Sequence, residues 1–250
     1  MLEPWPCYNQ FMKKEASSIN GEVHHYVKFF DMGQREQFQD LSIAVMHSFA
    51  SQARLHVPKG TKVEAQLIVE SGLGYLQLSL EDKAVETVGL VATPEVLIPD
   101  LSMFEVINEM AEKLFREESR YGLKDPQKLD AIINACMGEF FGHVQYPGIV
   151  EKAAAFWFKI ADAQCFHNGN KRTALLTALF VLSMNGFELE NVDGDELYAI
   201  SLKIANKQMD QPAVAQFIRR NLMAKLYPTR TEAETIESSF EINMKIDNFD

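Results

Sequence analysis

The spacing of apolar residues changes twice along the chain. Over residues 33–50, Phe38, Leu41, Val45, Met46 and Phe49 recur three or four apart, which predicts an amphipathic helix. Over 63–80 the period falls to two. Val63, Ala65, Leu67 and Val69 take alternate positions, and Leu76, Leu78 and Leu80 alternate with Tyr75, Gln77 and Ser79. Gly72 and Gly74 separate the two runs, so a hairpin or small sheet is expected, and Pro94 and Pro99 punctuate its exit. From residue 103 to about 228 the strand signals vanish. Helices are expected over 103–119, 128–141, 147–163, 170–185, from Asp193-Gly194-Asp195 to about 208, and from 212 to about 226. Those at 147–163 and 170–185 are apolar on nearly every face and should be buried. Pro147 suits the first turn of one, and Gly186 the stop of the other. Met103, Met110 and Met137 fall on apolar helix faces and read as core.

The pattern divides the chain into a small α+β domain over 1–102, a helical domain over 103–228 and an acidic tail over 229–250. In the tail, Phe240, Ile242, Met244 and Ile246 alternate with polar residues and predict one late strand, the rest being a loose arm. The fold class expected is mainly α. No internal repeat is present.

Composition narrows the function classes. The chain has 250 residues, 47% hydrophobic and 24% charged, an ordinary globular balance. No apolar run approaches the ~18 residues that would span a bilayer. Met1-Leu-Glu-Pro-Trp-Pro lacks the basic and apolar regions of a signal peptide. Cys7, Cys136 and Cys165 are odd in number and far apart, which indicates neither a disulfide framework nor a CxxC metal site. A cytoplasmic protein with no membrane partner is expected.

Charge changes the picture more. The net charge is −11, but it is unevenly placed. Residues 1–125 carry 12 basic and 19 acidic side chains, residues 126–228 carry 10 of each, and residues 229–250 carry 2 and 6. The acidic balance argues against nucleic acid as a partner. The neutral helical segment is where a small anion is repelled least.

That segment holds one polar stretch between its two apolar helices: Gln164-Cys165-Phe166-His167-Asn168-Gly169-Asn170-Lys171-Arg172-Thr173-Ala174-Leu175. It is a glycine-containing loop feeding a helix N-terminus, where free N–H groups and the helix dipole favour an anion. Gly169 permits close backbone approach. Asn170 suits an N-cap or a donor to a phosphate oxygen. Lys171 and Arg172 add two cationic donors. Phe166, apolar within a polar stretch, should anchor the loop to the core. The residues alone read as a phosphate-binding loop or as a polar helix–helix turn with solvated Lys and Arg.

Phe-x-x-Gly-Asn-Lys-Arg-Thr-Ala-Leu between two buried helices resembles the Fic/Doc (filamentation / death-on-curing) family, in its Doc-like form with Lys before Arg. Phe141-Gly-His143-Val-Gln145-Tyr146-Pro147 resembles the family's flap. The resemblance spans about residues 105–226. It implies a Fic/Doc-type helical core preceded by the α+β domain, a toxin–antitoxin setting, and transfer of AMP or phosphate from ATP or another nucleoside triphosphate, with Mg2+, to a hydroxyl of a target protein. It further implies a histidine base, an acidic Mg2+ ligand, a phosphate cradle formed by the Gly-Asn-Lys-Arg run, and a flap, here His143, Gln145 and Tyr146, that aligns the target.

Two positions depart from the family pattern. The histidine position, five before Gly169, holds Gln164, and the acidic position holds Asn168. Gln cannot take up a proton near neutral pH. Asn is a weaker ligand for a hard cation than a carboxylate, which argues against Mg2+. The cradle positions Gly169, Asn170, Lys171 and Arg172 are kept. His167 and His143 are the remaining candidate bases. Two classes of function stay open: an enzyme of impaired or non-standard chemistry, and an inactive nucleotide- or partner-binding regulator. The target or regulatory protein is unspecified, and homo-oligomerisation is left open.

Overall fold

A computed structural model of the chain describes residues 22–30, 35–53, 57–58, 60–93, 95–114, 121–190 and 192–235. The expected strand at 240–246 and Cys7 lie outside them. The elements in chain order are β1 (His25–Phe29), α1 (Arg35–Gln52), β2 (Val63–Glu70), β3 (Leu73–Leu80), β4 (Lys83–Ala92), α2 (Leu101–Leu114), α3 (Pro126–Met137), β5 (Glu139–Phe140) and β6 (His143–Val144). There follow α4 (Ile149–Ala163), α5 (Asn170–Met184), β7 (Phe187–Leu189), α6 (Gly194–Ala205), α7 (Gln211–Asn221), β8 (Leu222–Ala224) and α8 (Arg230–Glu234). The content is mainly α, with an N-terminal α+β region before the helices.

Two compact units result. The first takes the described residues of 22–96 together with Asn185–Glu188 and 222–235. The second takes Leu97–Met184 and Leu189–Asn221.

The first unit holds a sheet of order β1-β4-β3-β2, with β1 parallel to β4 and the other pairs antiparallel. Ser71-Gly72 (φ 52° and 78°) and Glu81-Asp82 (φ 48° and 65°) join its hairpins. Paired left-handed residues in a two-residue loop match the twist of the flanking strands. The alternation seen in the sequence is only half realised. Ala65 and Leu67 are buried, but Ile68 is buried too, and Val69 is exposed. On β3, Gln77 and Ser79 are as buried as Leu76 and Leu78, and the Gln77 amide donates to Thr87 Oγ1 on β4 at 3.1 Å. Helix α1 meets β8 through the Ser48 hydroxyl, which lies 2.8 Å from Ala224 O and accepts from Ala224 N–H at 2.9 Å. Tyr26 on β1 bridges Tyr227.

In the second unit α4 is the central element. Eleven of its fifteen residues are buried, Phe156 and Trp157 completely. Trp157 Nε1 donates to Ser201 Oγ on α6 at 2.8 Å, which satisfies the indole where water is excluded. Ile107 and Ala111 of α2 pack with Leu176, Phe180 and Met184 of α5.

Several boundaries differ from the sequence reading. Helix α3 stops at Met137, and the next residues form the small β5–β6 hairpin. Helix α4 begins at Ile149 with Gly148 as its N-cap, two residues after Pro147. Helix α7 ends at Asn221, and 222–224 leave it as a strand paired with β7. Strands of two or three residues are too short to show a period. Within the expected loose tail, Thr229 caps the short helix α8, its hydroxyl accepting from Glu232 N–H. Met103 was expected in the core and is instead 38% exposed, because the inward face of α2 runs through Phe104, Ile107 and Ala111.

Candidate functional site

Helix α4 ends at Ala163, and Gln164 follows it in the left-handed conformation (φ 54°, ψ 49°), reversing the chain. Cys165 and Phe166 then turn into the interior, 0% and 1% exposed. The 122–125 segment runs alongside. Leu123 bridges Phe166, Cys165 O accepts from the N–H groups of Lys124 (2.8 Å) and Asp125 (3.0 Å), and His167 N–H donates to Gly122 O (3.0 Å). Asn170 closes the loop on itself: its Oδ1 accepts from Phe166 N–H at 2.9 Å, and its Nδ2 donates to Phe166 O at 3.0 Å. The Asn170 amide is thus spent on loop closure, a third use beyond the two the sequence suggested.

Beneath the loop lies α2. Asn108, fully buried, donates to Asn168 O (3.0 Å) and Thr173 Oγ1 (2.9 Å) and accepts from Gly122 N–H (2.7 Å). One helical turn on, Glu112 accepts from Arg172 Nη2 at Oε1 (2.9 Å) and from Asn168 Nδ2 at Oε2 (3.3 Å). The side chains of Arg172 and Glu112 are 7% and 3% exposed. Gly169 has φ +71°, and a Cβ there would come within 2.1 Å of Glu112 Oε1. Glycine is therefore required twice over, by its backbone conformation and by the carboxylate against it.

The Fic/DOC family profile matches residues 100–182, from α2 through this loop into α5. A relative, "Protein kinase doc" of Escherichia phage P1, is 30% identical over 106 residues, which make up 41% of this chain and 82% of that protein. The chain belongs to the Fic/Doc family.

Gln164, at the family's histidine position, and His167 are exposed, and Asn168 and Lys171 are half-buried. Arg172 is not beside Lys171 on the surface. Successive helical residues point about 100° apart, and Arg172 shares the inward face with Leu175 and Leu176. The expected pair of outward cations is one outward Lys and one inward, ion-paired Arg. The flap residues form a separate group. His143 and Gln145 are exposed, whereas Tyr146 is buried, and its carbonyl accepts from the buried Lys152 Nζ. Phe141 and Gly142, both left-handed, make the hairpin turn, with Phe141 fully exposed.

The residues at the acidic position do not fit Mg2+. Asn168 is neutral, its Nδ2 donates to Glu112 Oε2, and its main-chain carbonyl accepts from Asn108 Nδ2. Cys165 beside the loop is not an activated thiolate, since burial pushes its thiol up. Burial likewise pushes Cys136 up to about 12. Asp162, on the last turn of α4, pairs with Lys207 at the surface.

Asn108 and Glu112 escaped the sequence reading. Their signal was present: two polar residues four apart on a helix face otherwise made of Phe104, Ile107 and Ala111. Such spacing puts both on one buried stripe.

Proposed function

We propose that this Fic/Doc protein binds a nucleotide or other phosphorylated ligand at the 169–172 loop, and that transfer of AMP or phosphate to a protein hydroxyl is impaired in it. The observation that carries the reading is the exposed Gln164 at the family's base position. It follows α4 in an exposed position, but its amide has no basic nitrogen that could take up a proton near neutral pH. Losing a positioned base typically costs about 10²–10⁴ in rate. Asn168 adds to the impairment by removing the carboxylate the family uses for Mg2+. Phosphate binding is supported by the α5 N-terminus, the tight approach allowed by Gly169, and Lys171. The setting is a cytoplasmic protein acting on or with another protein. No described helix is long and apolar enough to cross a membrane.

Calorimetry with ATP, ADP and inorganic pyrophosphate tests the binding half; no heat at millimolar ligand from a folded chain would sink it. For the chemistry, α- and γ-labelled ATP, Mg2+ and a cell lysate are incubated with the native chain and with Gln164→His plus Asn168→Asp. Label transfer by the double variant alone is the expected result. Equal transfer by the native chain would show that another group, His167 or His143, serves as base. A second reading, a purely regulatory binder, is favoured by the same Gln164 and predicts no transfer by either chain.

A further inference from the structure

We infer that Glu112 and Arg172 form an internal brace that sets the backbone of the 169–172 loop, and that Lys171 is the side-chain cation that meets the anionic ligand. The inference rests on the phosphate-binding reading above and assigns Arg172 a different task from the one its place in the motif suggests. A ligand arriving from solvent meets Gln164, His167 and the half-buried Lys171. Arg172 is 5% exposed and reaches inward to α2. Glu112 touches the loop at three places: Oε1 on Arg172, Oε2 on Asn168, and the same Oε1 packed against Gly169. Asn108 holds Asn168 O and Thr173 from the adjacent turn of α2, so the loop backbone is gripped on both sides of Gly169.

Electrostatics point the same way. The buried pair is neutral as a unit, so it adds little field at the loop surface. Lys171 and the N–H groups of the α5 N-terminus remain to attract an anion. A buried ion pair that serves geometry can be replaced as a pair at little cost, whereas removal of one partner leaves the other charge stranded. Arg172 is thus a positioning residue, acting through the loop, and Glu112 is its anchor.

The experiment measures inorganic pyrophosphate and ADP affinity of the full chain by calorimetry. Lys171→Met should weaken both by about tenfold. Arg172→Met should weaken both as well, but with faster amide hydrogen exchange at 168–172, whereas Lys171→Met should leave that exchange unchanged. Should Arg172→Met fail to fold, Arg172→Gln, which can still hydrogen-bond Glu112, carries the same comparison. Glu112→Gln alone should weaken binding and speed amide hydrogen exchange at 168–172 while exchange in α4 stays unchanged; a merely stabilising contact would not confine the change to the loop. If Arg172→Met loses affinity while exchange at 168–172 stays at the native rate, Arg172 is a ligand donor and the brace is refuted. If Glu112→Gln binds more tightly than the native chain, Glu112 competes with the ligand and the brace is equally refuted. No binding by the native chain defeats the phosphate reading itself, and this inference with it.

Discussion

The 164–172 loop and the 139–144 hairpin both connect to buried helices, but they are built on opposite plans. The loop is held from within. Phe166 and Cys165 are buried, Asn170 ties the turn to itself, and Asn108 and Glu112 grip it from α2. Among the described side chains, the hairpin is held at its base. Tyr146 is buried and bonded to Lys152, while Phe141, His143, Val144 and Gln145 face solvent. The difference separates two jobs. A loop that must present backbone N–H groups at a fixed place spends its side chains inward, whereas a hairpin that keeps its edge open leaves them outside.

Substitutions can break this contrast, beginning with the strongest. Glu112→Ala strands the buried Arg172 guanidinium and should cost about 3–5 kcal/mol of stability by urea unfolding. A cost under about 1 kcal/mol would mean that the pair is solvated and the loop is not braced. Gly169→Ala should cost at least about 2 kcal/mol, from its left-handed backbone and the overlap with Glu112 Oε1. Measured in a Glu112→Ala background, its cost should shrink, because the overlapping carboxylate is gone. Strict additivity of the two would show that they do not touch. Asn170→Ala removes both bonds to the Phe166 backbone and should cost about 1–2 kcal/mol. At the other end, Phe141→Asn in the hairpin should change stability by no more than about 0.5 kcal/mol, since the ring is exposed and Asn accepts φ 53° readily. A large loss there would place Phe141 in a contact and erase the contrast.

What was legible in the sequence follows from range. Helices α4 and α5 were readable because unbroken apolar faces have no surface alternative, and the polar stretch between them stood out for the same reason. The inward turn of Arg172 was not legible, because α5 is apolar on nearly every face and Lys171 stands at the same spacing before Ala174 and Leu175 as Arg172 does before Leu175 and Leu176. Glu112 lies 60 residues from Arg172, and no local period pairs residues at that distance. The strands β5–β8 were lost to their brevity. The parallel pairing of β1 with β4 was lost because a strand's partner across a helix is set by tertiary packing. On β3, apolar alternation misled because Gln77 finds Thr87 across the sheet and can be buried beside Leu76 and Leu78.

The division of the chain bears on the order in which the protein can be made. The first unit opens with the N-terminal sheet but takes in 185–188 and 222–235, including β8 against α1 and Tyr227 against Tyr26. As the nascent chain leaves the ribosome, β1 to β4 emerge first and still lack these partners. The helical unit has all its described elements once Asn221 is out. The part synthesised first is therefore completed last, and its sheet and α1 wait for partners of Tyr26 and Ser48 translated some 175–200 positions later.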